Sequence, residues 1–119
     1  MINIHGLKNC DSCRKACKWL DINKIEYEFF DFKKYPPTSL MISDWIETHT
    51  LEKIINKRST TWRNLDQKLK NQLDTRAINI IINSPSLMKR PIWELNSKSH
   101  QSLSPGFDLG HQDFIKELA

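Results

Sequence analysis

The chain has 119 residues, enough for one domain with a modest core and a small insertion. Hydrophobic residues make up 39 % and charged residues 27 %, the balance of a folded globule and not of a disordered chain. The formal charge of +4, from 18 bases and 14 acids, is mild and scattered; it fits a solvated surface that lets anions approach and does not point to direct nucleic-acid binding.

No apolar run approaches the roughly 18 residues of a membrane span. The opening Met1-Ile2-Asn3-Ile4-His5-Gly6 lacks the basic flank and apolar stretch of a signal peptide. A cytosolic location without membrane contact is expected.

Ile2 and Ile4 alternate with polar neighbours ahead of Gly6, which predicts a strand over residues 1–5. Residues 10–22 read as a helix. Cys13, Ala16, Cys17 and Leu20 recur on one face, Arg14, Lys15 and Lys18 fall mostly on the other, and Asn23 supplies a stop. A second strand from Tyr27 to Phe32 completes a parallel strand–helix–strand unit.

Pro36-Pro37 then break the pattern, and the chain reads as helical to about residue 73. A short helix begins near Ser39 and carries Met41, Ile42, Trp45 and Ile46; another stretch surrounds Leu51 to Ile55. A third helix carries Trp62, Leu65, Leu69 and Leu73, an amphipathic stripe expected to pack as core. Residues 75–83 are ambiguous, because Ile78, Ile80, Ile81 and Ile82 suit either a strand or a buried helix. Arg90-Pro91 leads into a strand at Ile92-Trp93-Glu94-Leu95, with a hairpin partner expected at 101–104. The loop Ser104-Pro105-Gly106 and a final helix from about Leu109 to Leu118 close the chain.

The three cysteines, Cys10, Cys13 and Cys17, crowd into one short segment, which is not a secreted disulfide framework. Cys10-Asp11-Ser12-Cys13 is a C-x-x-C placed where a strand ends and a helix starts. Helix N-terminal amides and the macrodipole stabilise negative charge there, and Lys8 and Arg14 are near in sequence. Cys10 is therefore expected to be a thiolate that attacks electrophilic sulfur or the central atom of an oxyanion. Cys13, one turn on, either resolves a mixed disulfide with Cys10 or is a buried, inert thiol. Cys17 reads as core, since a disulfide to Cys13 within an intact helix is geometrically disfavoured. His5, His49, His100 and His111 have no ligand spacing and a fourth cysteine is missing, so no metal is expected.

Three separated motifs carry a resemblance. Lys8-Asn9-Cys10-Asp11-Ser12-Cys13-Arg14-Lys15-Ala16 resembles the active-site loop of the arsenate-reductase-like family, which includes arsenate reductases, YffB-like proteins and Spx-type transcription regulators. Lys57-Arg58-Ser59-Thr60-Thr61-Trp62-Arg63-Asn64-Leu65 is similar to the segment that brings an arginine over the cysteine. Leu87-Met88-Lys89-Arg90-Pro91-Ile92 is similar to the loop with a second arginine and a cis-proline. The Lys-Asn-Cys opening and the Arg-x-Thr-Thr-Trp-Arg-x-Leu-Asp run look most like the YffB-like branch.

The resemblance implies an α/β, thioredoxin-like fold in one domain, residues 1–119. Its core would be 1–34 and 75–119, with a helical insertion at 35–74 between the βαβ unit and a C-terminal ββα part, and it makes 75–83 a helix. It implies Cys10, Cys13, Arg58 and Arg90 as catalytic residues, with Lys8, Asn9, Arg14 and a cis Pro91 around the substrate. Guanidinium groups suit that task because they stay charged and bind anions in bidentate fashion. The implied activity is thiol–disulfide exchange in a monomer without bound cofactor, with glutathione as co-substrate and glutaredoxin as a further partner. The alternative is an Spx-type regulator, in which the C-x-x-C is a redox switch controlling contact with the RNA polymerase α-subunit. Arsenate reductases of the family use a third arginine near the loop written here as 104–108, and no arginine follows Arg90. Their active loop also usually has a single cysteine with a Gly-Thr-Ser segment. Both departures argue against arsenate as substrate.

Overall fold

The computed structural model describes residues 1–95 and 103–118, and the chain forms two units, Met1–Tyr35 with Arg90–Ala119, and Pro36–Lys89. In the first, β1 (Ile2–Gly6) lies between β2 (Tyr27–Asp31) and β3 (Ile92–Leu95). β1 runs parallel to β2, with Ile4 opposite Phe29, and antiparallel to β3, with Ile4 opposite Trp93. The parallel pair needs a crossover, and α1 (Asp11–Ile22) supplies it. Helix α7 (Leu109–Leu118) closes the unit. This βαβ opening followed by an antiparallel strand and a helix is the thioredoxin-like arrangement.

The period-2 face of β1 and the helical face of α1 meet in one core. Ile4, Ala16, Leu20, Trp93, Leu103 and Ile115 are buried together, and Cys17, Phe29 and Phe107 pack against them. His5, on the other face of β1, is buried as well: it stacks on Phe30 at 5.1 Å, and its Nε2 lies 2.5 Å from the Glu94 carboxylate. Half of the expected partner strand at 101–104 lies outside the described residues; Leu103 and Ser104 themselves are irregular.

The second unit holds α2 (Ser39–His49), α3 (Leu51–Ile54), α4 (Thr60–Arg63), α5 (Gln67–Asn71) and α6 (Leu73–Asn83), then a 3-10 turn at Pro85–Leu87. Thr38 caps α2 by accepting the Met41 amide at 3.1 Å. An isolated bridge pairs Ile55 with Met88 and ties the end of α3 to the chain beyond the 3-10 turn. Residues 75–83 are helical, as the family resemblance implies. Helix α6 packs on α2 and α5 and so belongs to this unit, whereas a boundary at 74/75 was expected.

The stripe Trp62, Leu65, Leu69, Leu73 does not lie on one helix. Ser59 accepts the Trp62 amide at 3.0 Å and Asp66 accepts the Lys68 amide at 2.9 Å, so two separate N-caps start two short helices, and Leu73 begins a third. Only Leu73 is buried; Trp62, Leu65 and Leu69 stay half-exposed. Thermal or urea unfolding should separate these positions. Leu20→Ala, at a fully buried site, should cost about 2–5 kcal/mol, and Leu69→Ala clearly less. Equal losses would mean that the stripe is core after all.

Candidate active site

The loop that carries the nucleophile is built by short backbone contacts. The Cys10 amide donates to the Leu7 carbonyl at 3.3 Å, which places Lys8 and Asn9 on an exposed turn. Cys10 has extended backbone angles, φ −99° and ψ 126°, and is the N-cap of α1; its carbonyl accepts the Arg14 amide at 2.9 Å. The first amides of a helix have no intrahelical partner, so a side chain here faces donors and a partial positive charge. The sulfur makes no cap hydrogen bond of ordinary geometry, but the Cys13 amide is turned toward it.

The Cys10 thiol is half-buried. Burial, the largest single influence, penalises the thiolate and pushes the pKa up. The Cys13 amide, the Arg90 guanidinium and the Cys13 thiol act together as donors toward the sulfur, and the charge of Arg90 adds to them. Their sum wins, and Cys10 sits below the ordinary thiol range. Cys13 goes the other way. It is 1 % exposed, and burial, reinforced by the negative charge on Cys10, pushes it up to about 12 although the Leu7 amide opposes. The two thiols therefore differ in kind: Cys10 ionises readily, while Cys13 keeps its proton and points it at Cys10.

Cys13 owes its place to Gly6. A Cβ at position 6 would collide with the Cys13 sulfur, so the strand end must be glycine for reasons of space. Neither Gly6 nor the Leu7 amide is singled out by a sequence motif. The glycine that closes β1 just ahead of the cysteine loop is the one available signal.

Arg90 reaches the site from the start of β3. The Arg90–Pro91 bond is cis and Pro91 is fully buried. The Pro91 carbonyl accepts the Gly106 amide at 2.9 Å, and the Trp93 indole donates to the Gly106 carbonyl at 2.7 Å. Gly106 has φ +112°, which a side chain would resist. Buried His111 donates from Nε2 to the Ser104 carbonyl at 2.8 Å, and its Nδ1 lies 2.8 Å from the Asp108 carboxylate. Asp108 in turn accepts the His111 amide at the start of α7, and hydrogen bonds to His111 hold its carboxyl below the usual range. Loop 104–108 is thus tied to α7, to Trp93 and to the proline beside Arg90. From sequence alone His111 figures only as a metal-ligand candidate, although an Asp immediately before a helix, here Asp108 ahead of α7, is itself a capping signal.

The other expected site residues are distributed as follows. Lys8 and Arg14 line a groove of about 260 Å³ together with Leu7, Cys13, Cys17 and Tyr27. The Arg14 guanidinium is paired with Asp11, whose carboxyl it holds below the usual range. Asn9 is exposed on its turn. Cys17 is half-buried against the core and receives a hydrogen bond from the Tyr27 hydroxyl; burial raises its pKa. Arg58 belongs to the second unit, where it is exposed and its amide donates to the Asn56 side chain at 3.1 Å. All three cysteines are free thiols, and no metal-holding cluster of His, Cys, Asp and Glu occurs among the described residues.

The ArsC family profile matches residues 5–107. An uncharacterised protein of Haemophilus influenzae is 41 % identical over 93 residues, 77 % of this chain and 82 % of its own length. The global transcriptional regulator Spx of Streptococcus mutans is 32 % identical over 95 residues, 77 % of this chain and 69 % of its own. Among solved structures, a YffB protein superposes with a TM-score of 0.85 at 32 % identity, covering all of both chains. No helix among the described residues is long and apolar enough to cross a membrane. The profile spans most of the chain, including the cysteine loop and the Arg90–Pro91 turn, and this chain belongs to the ArsC family.

Proposed function

We propose that this chain is a thiol–disulfide oxidoreductase with Cys10 as nucleophile and glutathione as its reductant. The observation that carries the reading is the pairing of a half-buried Cys10 sulfur with the Arg90 guanidinium and the donors of Cys13. In the first step the Cys10 thiolate attacks one sulfur of a substrate disulfide. A new S–S bond forms to Cys10, the old one breaks, and the leaving thiolate takes a proton from water. A glutathione thiolate then attacks the mixed disulfide and frees Cys10. A second glutathione attacks that product, releasing the reduced substrate and leaving glutathione disulfide.

The high pKa of Cys13 supports resolution by the external thiol, because a thiol that holds its proton attacks slowly. Cys13 then serves as a donor to the Cys10 thiolate. Arg90 holds the anionic partner, and Lys8, Asn9 and Arg14 stand around the loop. Arg58 is assigned to the same task on its likeness to the family segment. A second reading is favoured by the C-x-x-C itself and by the likeness to Spx: a redox-switched regulator whose Cys10–Cys13 pair controls contact with RNA polymerase. A pull-down with the polymerase α-subunit in oxidised and reduced states separates the two.

Iodoacetamide rates against pH should give a Cys10 pKa below the ordinary value of about 8.5, so the thiolate persists as pH falls through that range. Arg90→Ala should raise this pKa and slow glutathione adduct formation by about tenfold. Arg90→Lys should restore the pKa better than it restores adduct formation. Arg58→Ala should weaken capture of the anion. Wild-type behaviour in all of these variants would remove the arginines from the site.

Cysteine 13 can be tested by replacing its proton donor. Cys13→Ser retains an O–H and should keep the Cys10 pKa low, whereas Cys13→Ala should raise it. Both should turn over with glutathione. If both variants instead stall as the mixed disulfide seen by mass spectrometry, Cys13 is the resolving thiol.

Arsenate reduction with glutathione and glutaredoxin should be weak or undetectable, since no arginine follows Arg90. Efficient turnover at low arsenate would overturn that expectation.

A further inference from the structure

The bases are spread along the chain, but one stretch has a local excess equal to the net charge of +4. Residues 57–70 hold Lys57, Arg58, Arg63, Lys68 and Lys70 against the single acid Asp66, and the remaining thirteen bases and thirteen acids cancel. Asp66 is engaged as the cap of α5. Lys57 and Lys70 lie over the Trp62 ring at 5.7 and 5.1 Å, and Lys57, Arg63 and Lys68 are exposed.

The same stretch carries the apolar stripe that the fold leaves half-exposed. Leu65 and Leu69 line a groove of about 100 Å³ with Ile80, Asn79, Asn83 and Arg76. A cavity of roughly 150 Å³ holds a benzene ring, so this groove takes about one aliphatic side chain. The α6 backbone leaves helical angles at Arg76, φ −129° and ψ 27°, beside the groove. A notch with Leu65, Leu69 and Ile80 in its lining, Arg76 at its wall, and Lys68 and Lys70 flanking Leu69 in sequence has a definite complement.

We infer that the α5–α6 face docks an acidic protein segment that carries an aliphatic anchor. The anchor enters between Leu65, Leu69 and Ile80, and carboxylates meet Lys68, Lys70 and Arg76. A nucleic acid fits less well. Its bases need exposed aromatic faces to stack on, and the Trp62 ring already meets two lysines while the notch is aliphatic. A second copy of this chain would bring the same +4 charge to the interface. The inference does not rest on the thiol chemistry.

The probe is a short fluorescent peptide of glutamates and leucines, the leucines one helical turn apart. Its controls are the same peptide with glutamine for glutamate and a single-stranded oligonucleotide of equal charge. Full-length protein should bind the acidic peptide, less well at high salt, and the glutamine peptide at least about tenfold more weakly. Leu69→Asp and Lys68→Glu should each cost about tenfold in affinity, leave Cys10 alkylation unchanged, and keep the wild-type far-UV circular dichroism, which shows that the variants are folded. Absence of peptide binding, equal binding by the variants, or tighter binding of the oligonucleotide would each overturn the inference.

Discussion

A sulfur anion held half out of water is unfavourable unless donors meet it, and the first unit is organised around that requirement. β1 ends in a glycine and hands over to a loop whose Leu7 amide faces Cys13. Helix α1 brings the Cys13 amide and thiol to Cys10, and the entry to β3 brings Arg90. The donors to Cys10 come from α1 and from the entry to β3, far apart in sequence, so the thiolate depends on the sheet and helix being packed together. Burial is not a flaw in this arrangement. Nucleophilicity falls as a thiol's pKa falls, so a site that both desolvates the sulfur and stabilises its charge keeps a reactive anion.

The helix gives something up for this. Ser, Thr, Asp or Asn at an N-cap contributes about 1 kcal/mol by closing on a free amide; the Cys10 sulfur faces the Cys13 amide but makes no cap bond of ordinary geometry. Thr38, Ser59 and Asp66 each accept an amide of the helix they begin, whereas Thr50 and Gln72, like Cys10, do not. Of these three uncapped starts, only Cys10 is assigned chemistry, and local rules are expected to yield at such a residue. Asp11 in the first turn, paired with Arg14, returns part of the loss by placing negative charge at the positive helix end.

The βαβ opening was legible because its signals are local and agree. Ile2 and Ile4 alternate, and Cys13, Ala16 and Leu20 recur at helical spacing. Cys10 was legible for the same reason, as a cysteine at a strand-to-helix junction. The isoleucines of 75–83 were not decidable by period, since a helix buried over much of its surface and a buried strand look alike; the family resemblance resolved them. The stripe from Trp62 to Leu73 was misread as one helix. Periodicity sums over a window and does not register that Ser59 and Asp66 each start a new helix. Arg90 beside the thiol required the resemblance, because 80 residues separate it from Cys10 in sequence. The Leu7 amide had no signature at all, since every residue but proline carries one.

The close approach of Gly6 to the Cys13 sulfur also orders the substitutions open to this lineage. While cysteine stands at 13, a methyl group at 6 has no space. Once a smaller side chain replaces Cys13, alanine at 6 becomes tolerable and even favourable, because it restricts the unfolded chain. From then on cysteine cannot return to 13 unless glycine returns first. The two positions act as a ratchet: loss of the second thiol is easily made permanent by one further change, at a residue that takes no part in the chemistry.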